Sequence, residues 1–326
     1  MSDASPSAAD VAQTLPAPAT TTPRLAWRRA GVYALLLFVV TAWGGSFVAA
    51  RMLLAPSAPS ATALSPTMLA AVRFLLAAAL LAPALVRQHR RVRRITRRDL
   101  LLFLALGQLS ISVYFWLQYT GVRLTNAGIA SVLVVGLIPL ATLLVARVAL
   151  REPLGWRRAL ALALGLVGVG VVVSQSGLRL QTQGGFLLGA LCLAADALCF
   201  AVYTTLIRSL RTRYPPLTIT AGMTFGGALG LVLLALVTGG WASLTALSPI
   251  QWLAIAYLGV VCSVLAYLAY NYALARIEAS RAAVWIYLEP PVAVALGALL
   301  LGEPVTLPMV AGGLVIVASL YLVHKS

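Results

Sequence analysis

Apolar side chains run through most of this chain in unbroken stretches of about twenty residues, the length an α-helix needs to cross a bilayer. Short joins holding arginine, proline and glycine separate them. A span-length window finds ten such stretches, at about 31–53, 66–86, 99–119, 125–147, 156–174, 185–207, 217–238, 249–274, 280–301 and 305–323. Apolar and polar residues do not alternate in ten-residue pieces, so the stretches predict helices and not the strands of an outer-membrane barrel. The expected fold is an all-α polytopic membrane protein with ten transmembrane helices.

Composition agrees with that solvent. Of 326 residues 61% are hydrophobic and 10% charged, against roughly 25% charged in a soluble domain, and mean hydropathy is +0.95. A soluble enzyme is excluded. The net charge of +16 would suggest a nucleic-acid partner in a soluble chain, but the positions of the basic residues speak for topology. Twenty of the 24 lie in the N-terminal tail, in the second, fourth, sixth and eighth joins and at the C-terminus, whereas the alternate joins hold only Arg51, Arg123 and Arg179. Cytoplasmic loops collect arginine and lysine, so both termini are expected in the cytoplasm of a cell inner membrane, with an even number of spans between them. Residues 1–30 read as a disordered cytoplasmic tail, rich at their start in Ala, Ser, Thr and Pro, and not as a cleavable signal.

An internal repeat divides the spans. Pro139 is followed thirteen residues later by Glu152-Pro153, and Pro290 thirteen residues later by Glu303-Pro304, an offset of 151 in both cases. Both prolines are expected inside long apolar spans, the fourth and the ninth. The offset splits ten spans into five and five, at residues 31–175 and 184–323, and a unit with an odd number of spans must lie inverted relative to its copy.

Several runs resemble the EamA-type transporters of the drug/metabolite transporter superfamily. These are Trp43-Gly44-Gly45-Ser46-Phe47, Pro66 through Arg73-Phe74, Ala279-Ser280-Arg281-Ala282-Ala283 with Leu288-Glu289-Pro290, and Leu301-Gly302-Glu303-Pro304. The likeness covers about residues 31–323, with Arg151 where the family usually has glycine. The resemblance implies an inner-membrane carrier with two inverted halves, exporting amino acids or other small metabolites. It identifies a scaffold, not a cargo.

Ionisable groups at bilayer depth are functional candidates, since their burial must be offset by a partner, water or protonation. Asp196, Glu289 and Arg73 qualify. Two acids against one base leave a carboxyl without a cationic partner, as in a proton-coupled carrier, so Glu289 and Asp196 are candidates for proton coupling. Arg73 has structural alternatives, in binding backbone carbonyls of a neighbouring helix or snorkelling to the outer interface. Pro290 and Pro291 remove two amide donors and would expose the carbonyls of Ile286 and Tyr287 to a cavity. Glu152 and Glu303 stand before prolines able to open the following helix, where a carboxylate caps amides and complements the dipole.

Candidate substrate-binding side chains are Trp43, Gln108, Tyr114, Tyr203, Tyr267, Tyr270, Trp285 and Tyr287, with Trp116 nearby; Tyr267 and Tyr270 share a helix face. They would make a mostly apolar pocket with polar handles. Cys192, Cys199 and Cys262 fall inside apolar stretches and offer neither a disulfide framework nor a metal site. No catalytic or cofactor-binding motif is expected. The expected partners are a small-molecule substrate and the lipid bilayer, and the expected function is metabolite efflux by alternating access. A lipid flippase or scramblase, or a sensor without flux, would fit the same scaffold.

Overall fold

Local signals start and stop the helices where the apolar stretches meet their joins. The structure, a computed structural model, describes residues 23–56, 61–89, 95–149, 156–174, 185–207, 210, 213–274, 276 and 285–324. In chain order they form α1 (Pro23–Leu54), α2 (Pro66–His89), α3 (Arg97–Leu124), α4 (Ala127–Ala149), α5 (Trp156–Ser174), α6 (Phe186–Leu206) and α7 (Pro216–Thr238). A 3₁₀ turn at Trp241–Ala246 leads to α8, built of Pro249–Ala256, Tyr257–Leu265 and Ala266–Leu274, and then to α9 (Glu289–Leu301) and α10 (Leu307–His324). Thr96 caps α3 by accepting from Asp99 N at 3.1 Å. Ser248 and Gln251 form a reciprocal capping box on α8, with Pro249 at the first helical position, where a missing N–H costs nothing. Gly302, at φ 66°, ends α9 in the left-handed conformation that glycine adopts without strain.

Two helices widen in the middle. Gln108–Val113 in α3 and Tyr257–Leu265 in α8 are π-helical, at positions related by the repeat offset. Such turns release carbonyls from the regular ladder and recur at functional sites.

Among the described residues six helices are long and apolar enough to cross a membrane, at Gly31–Leu54, Pro66–Pro83, Arg97–Leu124, Phe186–Leu206, Leu217–Thr238 and Pro249–Tyr270; the apolar parts of α4, α5, α9 and α10 are shorter. Large apolar side chains such as Leu166, Leu234, Leu299 and Leu314 face outward, as in a protein solvated by lipid. Helix α1 packs on α9 and α8, α2 on α7 and α8, α3 on α6 and α7, α4 on α6 and α9, and α5 on α10. Adding or subtracting five maps this set of pairs onto itself. In lipid such pairs are held by close packing and hydrogen bonds rather than by the hydrophobic effect. The α5–α10 seam shows the first: a Cβ on Gly168 would stand 2.9 Å from Gly312 O, and one on Gly312 2.6 Å from Gly168 O.

Two boundaries differ from the sequence expectation. Helix α1 begins at Pro23, inside the segment expected to be a disordered tail. Pro139 lies within α4 as expected, whereas Pro290 and Pro291 occupy the first turn of α9, which begins at Glu289 and not near residue 280. Trp285 and Ile286 are helical and Tyr287 and Leu288 form a turn, so the backbone breaks just ahead of the prolines, as their missing amides require, and α9 starts afresh with them in its first turn, where no intrahelical acceptor is lost.

Candidate functional site

The π turn of α8 is where α1 is tied in. Ala266 N donates to Val261 O rather than to the Cys262 O that a regular α-turn would use, and Cys262 O accepts from Trp43 Nε1 at 3.1 Å. Tyr257 Oη donates to Ala42 O at 2.8 Å, as does Cys262 Sγ at 3.2 Å. The Trp43 ring lies 5.3 Å from each of Tyr267 and Tyr270. On the next residue, a Cβ on Gly44 would come within 2.9 Å of Glu289 O and Val292 Cβ, so only glycine lets α1 approach the start of α9 this closely.

Arg73, on α2, is 3% exposed. Its Nε donates to Ser263 Oγ at 2.8 Å and its Nη1 to Tyr119 Oη at 2.6 Å. The guanidinium carbon lies 4.5 Å from the Phe115 ring centroid and 5.2 Å from that of Phe74. The side chain therefore neither snorkels nor binds backbone carbonyls, the two structural roles open to it from sequence. It meets hydroxyls and aromatic faces, and among the described residues no carboxylate lies within 4 Å of it.

Among the described residues the two acids also have no cationic partner. Asp196, on α6, is wholly buried, and both carboxylate oxygens lack a hydrogen-bond partner. Gln118 stands beside it, with Nε2 donating to Tyr114 Oη at 3.1 Å and a second amide hydrogen on the side of the carboxylate. Glu289 is 6% exposed at the start of α9, and no described residue donates a hydrogen bond to its carboxyl. Asp196 and Glu289 both lie within electrostatic reach of Tyr114. Glu289 and Arg73 both lie within reach of Tyr267 and Cys262. The three ionisable groups thus surround one neighbourhood between the two halves and, among the described residues, form no ion pair.

The other sequence candidates are spread more widely. Tyr287 packs at the edge of the main core. Gln108 donates to Gly226 O at 2.6 Å in the α3–α7 seam. Tyr203 meets Phe200, which in turn meets Tyr114, and packs on a separate cluster around Phe103. Trp285 stacks on Tyr33, with ring centroids 5.7 Å apart, in a small cluster that Tyr270 joins to the Trp43 group. Trp116 is exposed. Glu152 lies outside the described residues.

Glu303 caps a helix, but not the one expected. Both its oxygens accept from Ala127 N at 3.0 Å, and one from Gly128 N at 3.4 Å, so it closes the N-terminus of α4 rather than that of α10. Arg51 Nε stands 3.6 Å from it, and Arg51 Nη1 donates to Val122 O and Arg123 O at the end of α3. Sequence reasoning also missed the polar cluster at the other end of α3. There Asp99 accepts from Arg213 Nη1 at 2.7 Å, Tyr214 Oη at 2.8 Å and Thr96 Oγ1 at 3.0 Å. Its only sequence signal was an acid among the arginines of a basic join.

A family model, the EamA-like transporter family, matches the chain twice, over residues 30–174 and 187–324. An "uncharacterized transporter" of Archaeoglobus fulgidus is 29% identical over 295 residues, covering 89% of this chain and 98% of its own length. A protein of Streptantibioticus cattleyicolor named "Probable terminal-alkyne amino-acid exporter" is 30% identical over 297 residues, covering 90% and 93%. A solved crystal structure superposes with a TM-score of 0.59 at 18% identity, covering 91% of this chain and 97% of that one, and is alike in fold. With the helical architecture above, these matches place the chain in the EamA-like transporter family, as a multi-pass membrane transporter of small molecules.

Proposed function

We propose that this protein exports small organic metabolites, amino acids among them, across the cell inner membrane by alternating access, using ten spans arranged as two inverted five-helix repeats at residues 31–175 and 184–323. The observation that carries the reading is the site between the halves: Glu289, Asp196 and Arg73, each buried and, among the described residues, unpaired by an opposite charge, around Trp43, Tyr114 and Tyr267. Buried ionisable groups are retained at membrane depth where a pathway uses them, and a mostly apolar pocket with a few polar groups is the common form of a small-molecule site. The helix pairing that survives a shift of five, and the π turns one repeat apart, support the two-fold arrangement. The name of the Streptantibioticus relative supports an amino acid as cargo and export as direction. The arginine-rich joins support cytoplasmic termini.

Glu289 is the proton-coupling group in this mechanism, with Asp196 as the second candidate. A carboxyl without donors at membrane depth is costly as an anion, so proton uptake and release at Glu289 would alternate with substrate occupancy of the same neighbourhood. Purified protein in liposomes, screened with labelled amino acids, amines and sugars under a pH gradient, tests the reading. Uptake of a subset of the solutes is expected. Fluorescent lipids changing leaflet with no solute moving would replace it by a flippase, and no flux of either kind by a sensor.

A further inference from the structure

A structural arginine inside a membrane protein is normally satisfied by a carboxylate or by filling its five N–H donors. Arg73 has neither. Nε and Nη1 each give one hydrogen, to Ser263 and Tyr119, and three remain: the second on Nη1 and both on Nη2. Phe115 and Phe74 stand together on one side of the guanidinium, their ring centroids 4.6 Å apart and 4.5 and 5.2 Å from its carbon, and the unused donors have no acceptor among the described residues. Ser263 Oγ is itself fixed by donating to Leu258 O at 2.9 Å across the π turn, and the fork therefore has a set orientation. Parallel N–H groups in one plane match the two oxygens of a carboxylate.

The surroundings supply the opposite pole. From Ser263 the path of contacts runs through Cys262 to the Trp43 indole, and from the adjacent Gly44 to the backbone of Glu289. Arg73 and Glu289 thus both border the Trp43–Tyr267 group. They are too far apart to form an ion pair, yet both act on Tyr267. We infer that Arg73 binds the carboxylate of the transported solute, which makes the cargo an amphoteric one whose amine faces Glu289 across Trp43. This rests on the carrier reading above.

The test uses the full-length protein in liposomes, with labelled L-amino acids each paired with the amine left when its carboxylate is removed. Ligand-induced shifts in thermal unfolding in detergent give a second readout. The amino acids should be moved, and should stabilise the protein, in preference to their paired amines. In Arg73→Gln that preference should fall by roughly tenfold or more, the loss expected for one charge-assisted pair. Arg73→Lys, which keeps the charge and loses the fork, should fall between. Equal handling of acids and amines by the unsubstituted protein overturns the inference and leaves the carrier reading standing, as does an unchanged preference in folded Arg73→Gln. If Arg73→Gln does not fold, Ser263→Ala and Tyr119→Phe, which unmoor the fork and keep its charge, decide: a reduced preference supports the assignment and an intact one overturns it. Failure of every solute to move would remove the carrier reading itself, and this one with it.

Discussion

The backbone of Gly44 lies so close to that of Glu289 that a Cβ on the glycine would stand 2.9 Å from the glutamate's carbonyl oxygen. This contact joins the first span of one half to the helix that opens the buried-acid site in the other. It also sets the position of Trp43, whose indole holds the π turn of α8 at Cys262 O.

Gly44→Ala should therefore push α1 away from α9. Overpacking of this kind costs about 1–3 kcal/mol, read as a lowered midpoint of thermal unfolding in detergent, and transport should fall with it. Gly31→Ala, where nothing lies within 4 Å of the added carbon, is the control and should change neither.

Glu289→Gln keeps the shape and hydrogen-bonding capacity of the side chain and removes its change of charge. Counterflow of labelled substrate should survive while transport driven by a pH gradient disappears. Asp196→Asn, measured alongside, should leave gradient-driven flux in place. Coupling lost in Asp196→Asn and kept in Glu289→Gln would move the proton site to α6.

Trp43→Phe keeps a ring against Tyr267 and Tyr270 and deletes the donor to Cys262 O. A hydrogen bond of this kind contributes about 1 kcal/mol, so apparent affinity for the transported solute should weaken by roughly fivefold. An unchanged half-saturation concentration would mean that the bond does not shape the site.

Glu303→Gln should destabilise α4 by removing a carboxylate from its N-terminus, a loss of about 1–2 kcal/mol. Thermal unfolding in detergent measures it. Arg51→Gln should cost less, since its bonds to Val122 O and Arg123 O end on partly exposed groups. A double-mutant cycle between the two should show coupling because they touch.

Orientation is checked with single introduced cysteines. One at Ser243, in the 3₁₀ turn between α7 and α8, should react with an impermeant reagent added outside intact cells. One at Thr212, outside the described residues, should not. The reverse pattern would invert the topology.

Much of the helical framework was legible along the chain because crossing a membrane is a local property. A stretch of about twenty apolar residues reports its own length, and the P-x12-E-P spacing set one half of the chain against the other, although its prolines take different places in α4 and α9. The start of α9 was not legible. An apolar window counts residues across Pro290 and Pro291, but whether a proline sits inside a helix or opens it depends on where the backbone enters, and α9 enters at Glu289 against Gly44.

The amino-acid sequence by itself determined that this chain crosses a membrane on apolar helices, that its halves repeat, and which few side chains at depth could carry charge. Only the tertiary structure decided what those side chains meet. Arg73 and Ser263 are 190 residues apart in the chain, and Glu303 and Ala127 are 176 apart. The partner of a polar group in the bilayer is chosen by helix against helix, where no water competes and the alternative is an unsatisfied charge or amide. Hydropathy along one span carries no trace of which helix will lie beside it, and so the hydroxyls around Arg73, the buried carboxylate of Asp196 and the reach of Glu303 to α4 became visible only once the helices were packed.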